Sequence, residues 1–369
     1  MAVELLLVSF LIASLSLTGT GNVGVDYGRD GDNLPSPGEV VALYQSQGIG
    51  KMRIYEPFQD VLQALRGSNI EVMMGVPNRD LQRLAEDNSA AINWVQTNVL
   101  NYRPSVNIRY IAVGNEVTPV NQNSGYAPFV VRAMTNVFNA IKDAGLFQTI
   151  LVSTSIDTGV IEESTSYPPS AARFRDDVLG FMNPVLGFLS DTGGPILLSV
   201  YPYFARSDPR ISLPYALFTK TSPEFTDPGN NLQYFNLFDA ELDGVYAAME
   251  KNLGTSSNSM LEDPYLSPQK ANRPVPRPVV TETGWPKAGN RPPSRRLLGT
   301  DETIDNACTY YQNVIRHVKN GTPRMSGVPI DTYLFAMFDE NLKQGADSER
   351  NFGLFYTNKA PVCQINFRE

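Results

Sequence analysis

Two glutamates in this chain stand where a carboxyl group is hard to explain as packing. Glu116 closes the run Tyr110-Ile-Ala-Val-Gly-Asn-Glu116, and Glu282 lies in Pro278-Val-Val-Thr-Glu282-Thr-Gly-Trp285. Each run reads as a buried strand of Val, Ile and Ala that breaks at small or turn-forming residues. Burying an unpaired charge at such a place is costly, so two of them suggest a pair that converges on a substrate. Paired carboxyls suit cleavage of a glycosidic bond: one protonates the leaving oxygen, and the other attacks the anomeric carbon or activates water. Asn115 adds a short amide able to hydrogen-bond a hydroxyl beside Glu116, and Gly284 and Trp285 add a tight turn and an aromatic platform beside Glu282. For either glutamate alone, a strand-end ion pair is an equally good account.

Composition removes the main rivals. One histidine and two cysteines are too few for most zinc sites. A Ser-His-Asp triad would have to use His317, which sits in the amphipathic stretch Ala307 to Val318 and reads as structural. Carboxylates remain as the abundant acid-base groups, and no metal or organic cofactor is expected. Net charge is −8, which disfavours nucleic acid and anionic membrane surfaces as partners. The 17 Tyr and 18 Phe serve mostly in core packing, with a minority available to stack on flat ligands such as sugar rings.

Elements that could position the pair recur along the chain. Strands are expected near 22–28, 50–56, 71–77, 109–116, 149–157, 196–204, 278–285 and 332–340. Between them lie amphipathic stretches at 37–47, 60–66, 81–100, 127–144, 174–189, 238–253 and 303–319. Eight strands alternating with helices predict a parallel sheet closed as a (β/α)8 TIM barrel, a single domain with extended loops before and after strand seven. A doubly wound open sheet is less favoured, because Gly24, Gly28 and Gly31 do not fit G-x-G-x-x-G. In a barrel the active site lies where strands give way to their following loops. Glu116 and Glu282 occupy that position, as do Tyr27, Glu56, Tyr201, Tyr203 and Glu340. The loops at 254–278 and 289–301 are long, and the second lies on the strand-end side, where it could shape a cleft.

Residues 1–21 read as a secretory leader, with an apolar run from Leu5 to Leu17 followed by small residues, and 22–369 as the mature domain. Secretion would permit a Cys308–Cys363 disulfide, although two buried thiols fit equally well. Asn320-Gly-Thr322 is the sole N-glycosylation sequon.

A family resemblance rests on ordered segments from about Asn22 to the C-terminus. They are GVDYGRDGDNLPSP (24–37), MRIYEP (52–57), IEVMMGVPN (70–78), IRYIAVGNEV (108–117), TSYPPSAARFR (165–175), VYPYF (200–204), NLFDAELD (236–243), VVTETGWPKAG (279–289) and TYLFAMFDENLKQG…ERNFGLF (332–355). With these the chain resembles plant glycoside hydrolase family 17, the β-1,3-glucanases and their β-1,3-1,4-glucanase relatives. The resemblance implies that Glu282 is the nucleophile and Glu116 the general acid/base, with Asn115 binding a hydroxyl. It implies that Glu340, Lys343 and Glu349 line the cleft, with Lys343 balancing charge. Tyr27, Tyr201, Tyr203, Phe204, Trp285 and Phe338 are the aromatic candidates for sugar stacking, Tyr27 and Trp285 the foremost. The chain departs from the family at Asp26, where Cys is usual, at Glu56, where Asp is usual, and at Phe58, where Asn is common.

The expected function is a secreted, retaining endo-hydrolase of β-1,3-glucan, callose or fungal wall glucan, acting in the extracellular space as a monomer. Hydrolysis of mixed-linkage β-1,3-1,4-glucan would use the same pair, and a catalytically silent glucan-binding protein would be expected to lack one of the glutamates.

Overall fold

The computed structural model describes residues 22–254, 273–289 and 301–368. The leader segment 1–21 and most of the two long loops therefore lie outside the described residues.

All eight expected strands form: β1 (Val23–Tyr27), β2 (Lys51–Ile54), β3 (Glu71–Val76), β4 (Asn107–Asn115), β5 (Leu151–Asp157), β6 (Ile196–Ser199), β7 (Pro278–Thr283) and β8 (Thr332–Leu334). Each pairs in parallel with its sequence neighbours, and β8 pairs with β1, so the sheet closes into a (β/α)8 barrel. A separate two-stranded ribbon, Phe225–Thr226 with Gln233–Tyr234, lies in the segment between β6 and β7.

The helices form an outer layer, most clearly through an apolar stripe where one face meets the barrel. In the helix Ala127–Asp143 the buried residues Val130, Ala133, Met134, Val137, Ala140 and Ile141 recur at helical spacing. Two expected helices differ from their sequence outlines. The stretch 81–100 breaks at Asp87, whose extended backbone ends Leu81–Glu86 and whose carboxylate caps Asn88–Val95 by accepting from Ser89 N at 2.8 Å. The expected helix at 174–189 begins only at Leu179, because Phe174 and Arg175 are extended and pair with the segment around Val160 and Ile161.

The barrel interior changes character along its axis. At its lower end Lys51 is bridged by Glu71 and Asp331, and Tyr110 donates to Asp331. An apolar plug of Met73, Tyr110, Ala112, Leu197, Val279 and Tyr333 follows. Nearer the strand ends it becomes polar, with Ser155 against Thr281 at 2.9 Å, then Asp26, Arg53 and the glutamates. His317 is far from this axis by role: it bonds Asp239 and packs on Phe218, a structural setting.

Candidate active site

Register irregularities aim both glutamates. Between Ala112 and Asn115, β4 carries one residue more than its partner β5. Between Val280 and Glu282, β7 carries one more than β6. Bulges of this kind re-aim the side chains that follow them. Beyond the bulge in β4, Gly114 (φ 84°) and Glu116 (φ 47°) both adopt the left-handed region. That conformation is unfavourable for a non-glycine residue by about 1–2 kcal/mol, and asparagines hold it. Asn78 donates to the Asn115 carbonyl at 3.0 Å and accepts from its N–H at 2.8 Å. Asn121 and Asn123 both donate to the Glu116 carbonyl, at 2.8 and 3.0 Å.

Glu282 is nearly buried and accepts from three donors. Arg53 Nη1 lies 2.6 Å and the Tyr55 hydroxyl 3.0 Å from Oε1, and the Tyr201 hydroxyl lies 2.9 Å from Oε2. Arg53 reaches across the barrel from β2. Its Nη2 donates to Asn115 Oδ1 at 2.5 Å, and its Nη1 also donates to the Thr281 carbonyl at 2.9 Å. One guanidinium thus ties the end of β4 to the end of β7. The Tyr55 ring lies 4.5 Å beneath it.

Glu116 is in a different state. Burial, reinforced by the charge of Glu282 and secondarily of Asp157, pushes its carboxyl up to about 7, while Ser199 and Arg53 act in the opposite direction. The two carboxyls thus have unlike surroundings: one is fixed among donors, and one is able to carry a proton near neutrality.

Both glutamates line a cleft of about 970 Å3 across the strand ends, together with Asn115, Tyr201, Glu340, Lys343 and Glu349. Glu340 is buried and accepts from Asp30 N at 2.9 Å, and a Cβ at Gly28 would force its carboxyl group to shift. Burial pushes both Glu340 and Glu349 above the usual carboxylate range, and Lys343 opposes the shift in each. Lys343 lies 3.7 Å from Glu349 and 3.9 Å over the Phe335 ring.

Four aromatic candidates lie elsewhere. Tyr27 and Phe338 are buried edge to face against each other. Trp285 has no exposed surface; it packs between Tyr203 and Tyr310 and donates to the Asp301 carbonyl. Tyr203 is buried too and donates to Glu302. The cleft-facing rings are instead Tyr55, Phe58, Tyr201, Phe204, Phe335 and Phe352, with Phe204 45% exposed. Arg53 and Tyr55 were missed as site residues, although an arginine inside an otherwise buried strand is a signal that sequence offers. The Asp26 carboxyl is buried and, among the described residues, has no hydrogen bond; Arg53 lies 4.0 Å away, and burial holds the carboxyl well above the usual range.

Residues 23–367 match glycosyl hydrolases family 17. The chain belongs to this family. A glucan endo-1,3-beta-glucosidase of Vitis vinifera is 49% identical over 99% of this chain and 97% of its own length. A basic vacuolar isoform of the same description from Nicotiana tabacum is 46% identical over 99% of this chain and 90% of its own. Among solved structures, a beta-1,3-glucanase and allergen of Cryptomeria japonica pollen superposes with a TM-score of 0.82 at 43% identity, covering 94% of this chain and 98% of that one. One of two plant beta-glucan endohydrolases described as having distinct substrate specificities superposes at 0.80 with 39% identity, covering 93% and 100%. Membership makes the chain a glycoside hydrolase and places its barrel among enzymes of the same build.

Proposed function

We propose that this family 17 enzyme is secreted and cuts internal β-1,3-glucosidic bonds in glucans with retention of anomeric configuration. The observation that carries this reading is the unlike pair at the barrel mouth: Glu282 fixed by Arg53, Tyr55 and Tyr201, and Glu116 with its proton held up to about pH 7. Glu116 donates its proton to the leaving glycosidic oxygen while Glu282 Oε attacks the anomeric carbon. The bond to the leaving chain breaks, and a glycosyl-enzyme ester forms. Glu116, now ionised, takes a proton from water, which attacks the same carbon and releases Glu282. Retention of this kind needs carboxyls about 5–5.5 Å apart.

The β-1,3 preference draws on the relatives, whose descriptions name endo-1,3-beta-glucosidases. A Cys308–Cys363 disulfide accords with an oxidising compartment, and Asn320 is exposed at its sequon. The decisive experiment is a product profile on purified glucans of defined linkage, with the anomer of the first product read by NMR. Short β-1,3 oligosaccharides released first as the β-anomer are expected. An α-anomer would overturn retention, and equal or faster cleavage of mixed-linkage glucan would overturn the linkage assignment.

A further inference from the structure

A second cavity of about 720 Å3 adjoins the cleft. The two share Thr158, Ala205 and Glu241, so they meet along one edge. The hydrolysis described above makes no use of it. Its size falls within the usual range for a small-molecule site.

One wall is aromatic. Tyr167 is 62% exposed and meets Phe225 edge to face at 4.5 Å; Phe225 in turn stacks on Tyr234 at 5.1 Å. Two polar atoms in the lining are buried with no hydrogen-bond partner among the described residues. They are the hydroxyl of Tyr215, a residue only 5% exposed, and Oε2 of Glu241. A buried polar atom without a partner costs about 1–3 kcal/mol, so these positions favour a ligand that supplies hydroxyl groups. Burial alone pushes Glu241 up to about 8. In its protonated form that carboxyl both donates and accepts, as a sugar hydroxyl does.

The charges at the rim argue against an anion. Arg175 is paired with Asp177, and Arg210 with Asp208, each through more than one nitrogen–oxygen contact. Glu163 adds negative charge to the lining, and Glu224 is paired with Lys220. A neutral ligand with a flat apolar face and several hydroxyls fits this wall, and the edge shared with the cleft suits a group attached to the chain bound there.

We propose that this side cavity is a subsite for a single glucosyl branch carried by the glucan whose backbone occupies the cleft. The assignment rests on the reading of the cleft as a β-1,3-glucan site. Tyr167 would stack on the branch sugar, and Tyr215 and Glu241 would bond its hydroxyls.

The test compares two substrates on the full enzyme: a linear β-1,3-gluco-oligosaccharide, and the same backbone carrying one β-1,6-linked glucosyl branch. Tyr167→Ala is expected to lower kcat/KM on the branched substrate by about 2- to 10-fold, the scale of one aromatic contact, with the linear rate unchanged. Tyr215→Phe, which removes only the hydroxyl, should lower the branched rate on a similar scale. The unchanged linear rate serves as the control for folding. Equal losses on both substrates, or no loss on the branched one, would overturn the branch subsite. Wild-type cleavage of the linear substrate but not of the branched one would also overturn it. Failure of the wild type on both would instead sink the glucanase reading itself.

Discussion

At the scale of single residues, the site is arranged around Arg53. Its planar fork contacts Glu282 and Asn115 at once, which the point charge of a lysine cannot reproduce. Arg53→Lys should therefore keep the fold but lower kcat on the order of 10²-fold, as expected if Glu282, the proposed nucleophile, is misplaced. Circular dichroism alongside the kinetics separates the two effects. Glu282→Gln should abolish turnover while glucan binding, measured by calorimetry, persists. Glu116 must carry its proton to act as acid, and it releases that proton near pH 7. The pH profile of kcat/KM should accordingly fall on its alkaline side from about pH 7. A profile flat to pH 9 would exclude Glu116 as the acid. Asp26 affects stability instead. Its folded-state carboxyl holds a proton at pH values where the unfolded chain, with an ordinary Asp near 3.9, has released it. Its contribution to stability is therefore complete below the ordinary value and is lost as pH rises through the elevated folded-state range. Asp26→Asn should raise Tm at pH 7 and change it little near pH 4. An equal change at both values would show that packing, not titration, is responsible.

At the scale of elements, two strands with one extra residue each bring the chemistry into place. The bulge in β4 and the left-handed turn through Gly114 and Glu116 depend on Asn78, Asn121 and Asn123, none of which is expected to touch the bond that breaks. Asn78→Ala should leave Tm within a few degrees and lower kcat more than it raises KM, by about 10- to 100-fold. The converse split would make Asn78 a substrate contact. The elements themselves were largely legible. Strand and helix periodicities differ, and the first helix is observed at Pro37–Gln47, the span expected. Its failures were local. The Asp87-Asn-Ser sequence contains a helix cap that a continuous apolar stripe concealed. The late start at Leu179 comes from Phe174 and Arg175 pairing with a segment beyond β5, a contact that local propensity does not encode.

At the scale of the whole molecule, the C-terminal segment laces the barrel. Cys363 bonds Cys308 in the helix Ile304–His317, and Gln312 of that helix donates to the Gln364 carbonyl at 2.8 Å. Further along, Phe367 is buried in the core, and Arg368 lies against Gly48 at the end of the first helix. The tail therefore joins the helix that precedes β8 to the helix that follows β1, across the seam where the sheet closes. The bridged residues are 55 apart in sequence. Reducing the bond, or replacing both cysteines with alanine, should cost about 2–4 kcal/mol in denaturant unfolding. Cleavage of glucan at low temperature should survive, because neither cysteine lines the cleft.

The sequence alone determined the strand–helix alternation, the presence of the two glutamates at strand ends, and the dominance of carboxylates over histidine or cysteine chemistry. These follow from local periodicity and from composition, which need no partner to be read. Only the tertiary structure decided which side chains face the cleft. Every strand of a closed barrel is covered on both sides, by helices outside and by its own interior, so apolar patterning does not tell inward from outward. One extra residue in β4 or β7 reverses that choice for everything after it. This is why Trp285 and Tyr27, attractive next to strand-end turns, are packing residues, whereas Arg53 and Tyr55, inconspicuous in β2 and just beyond it, hold the Glu282 carboxylate.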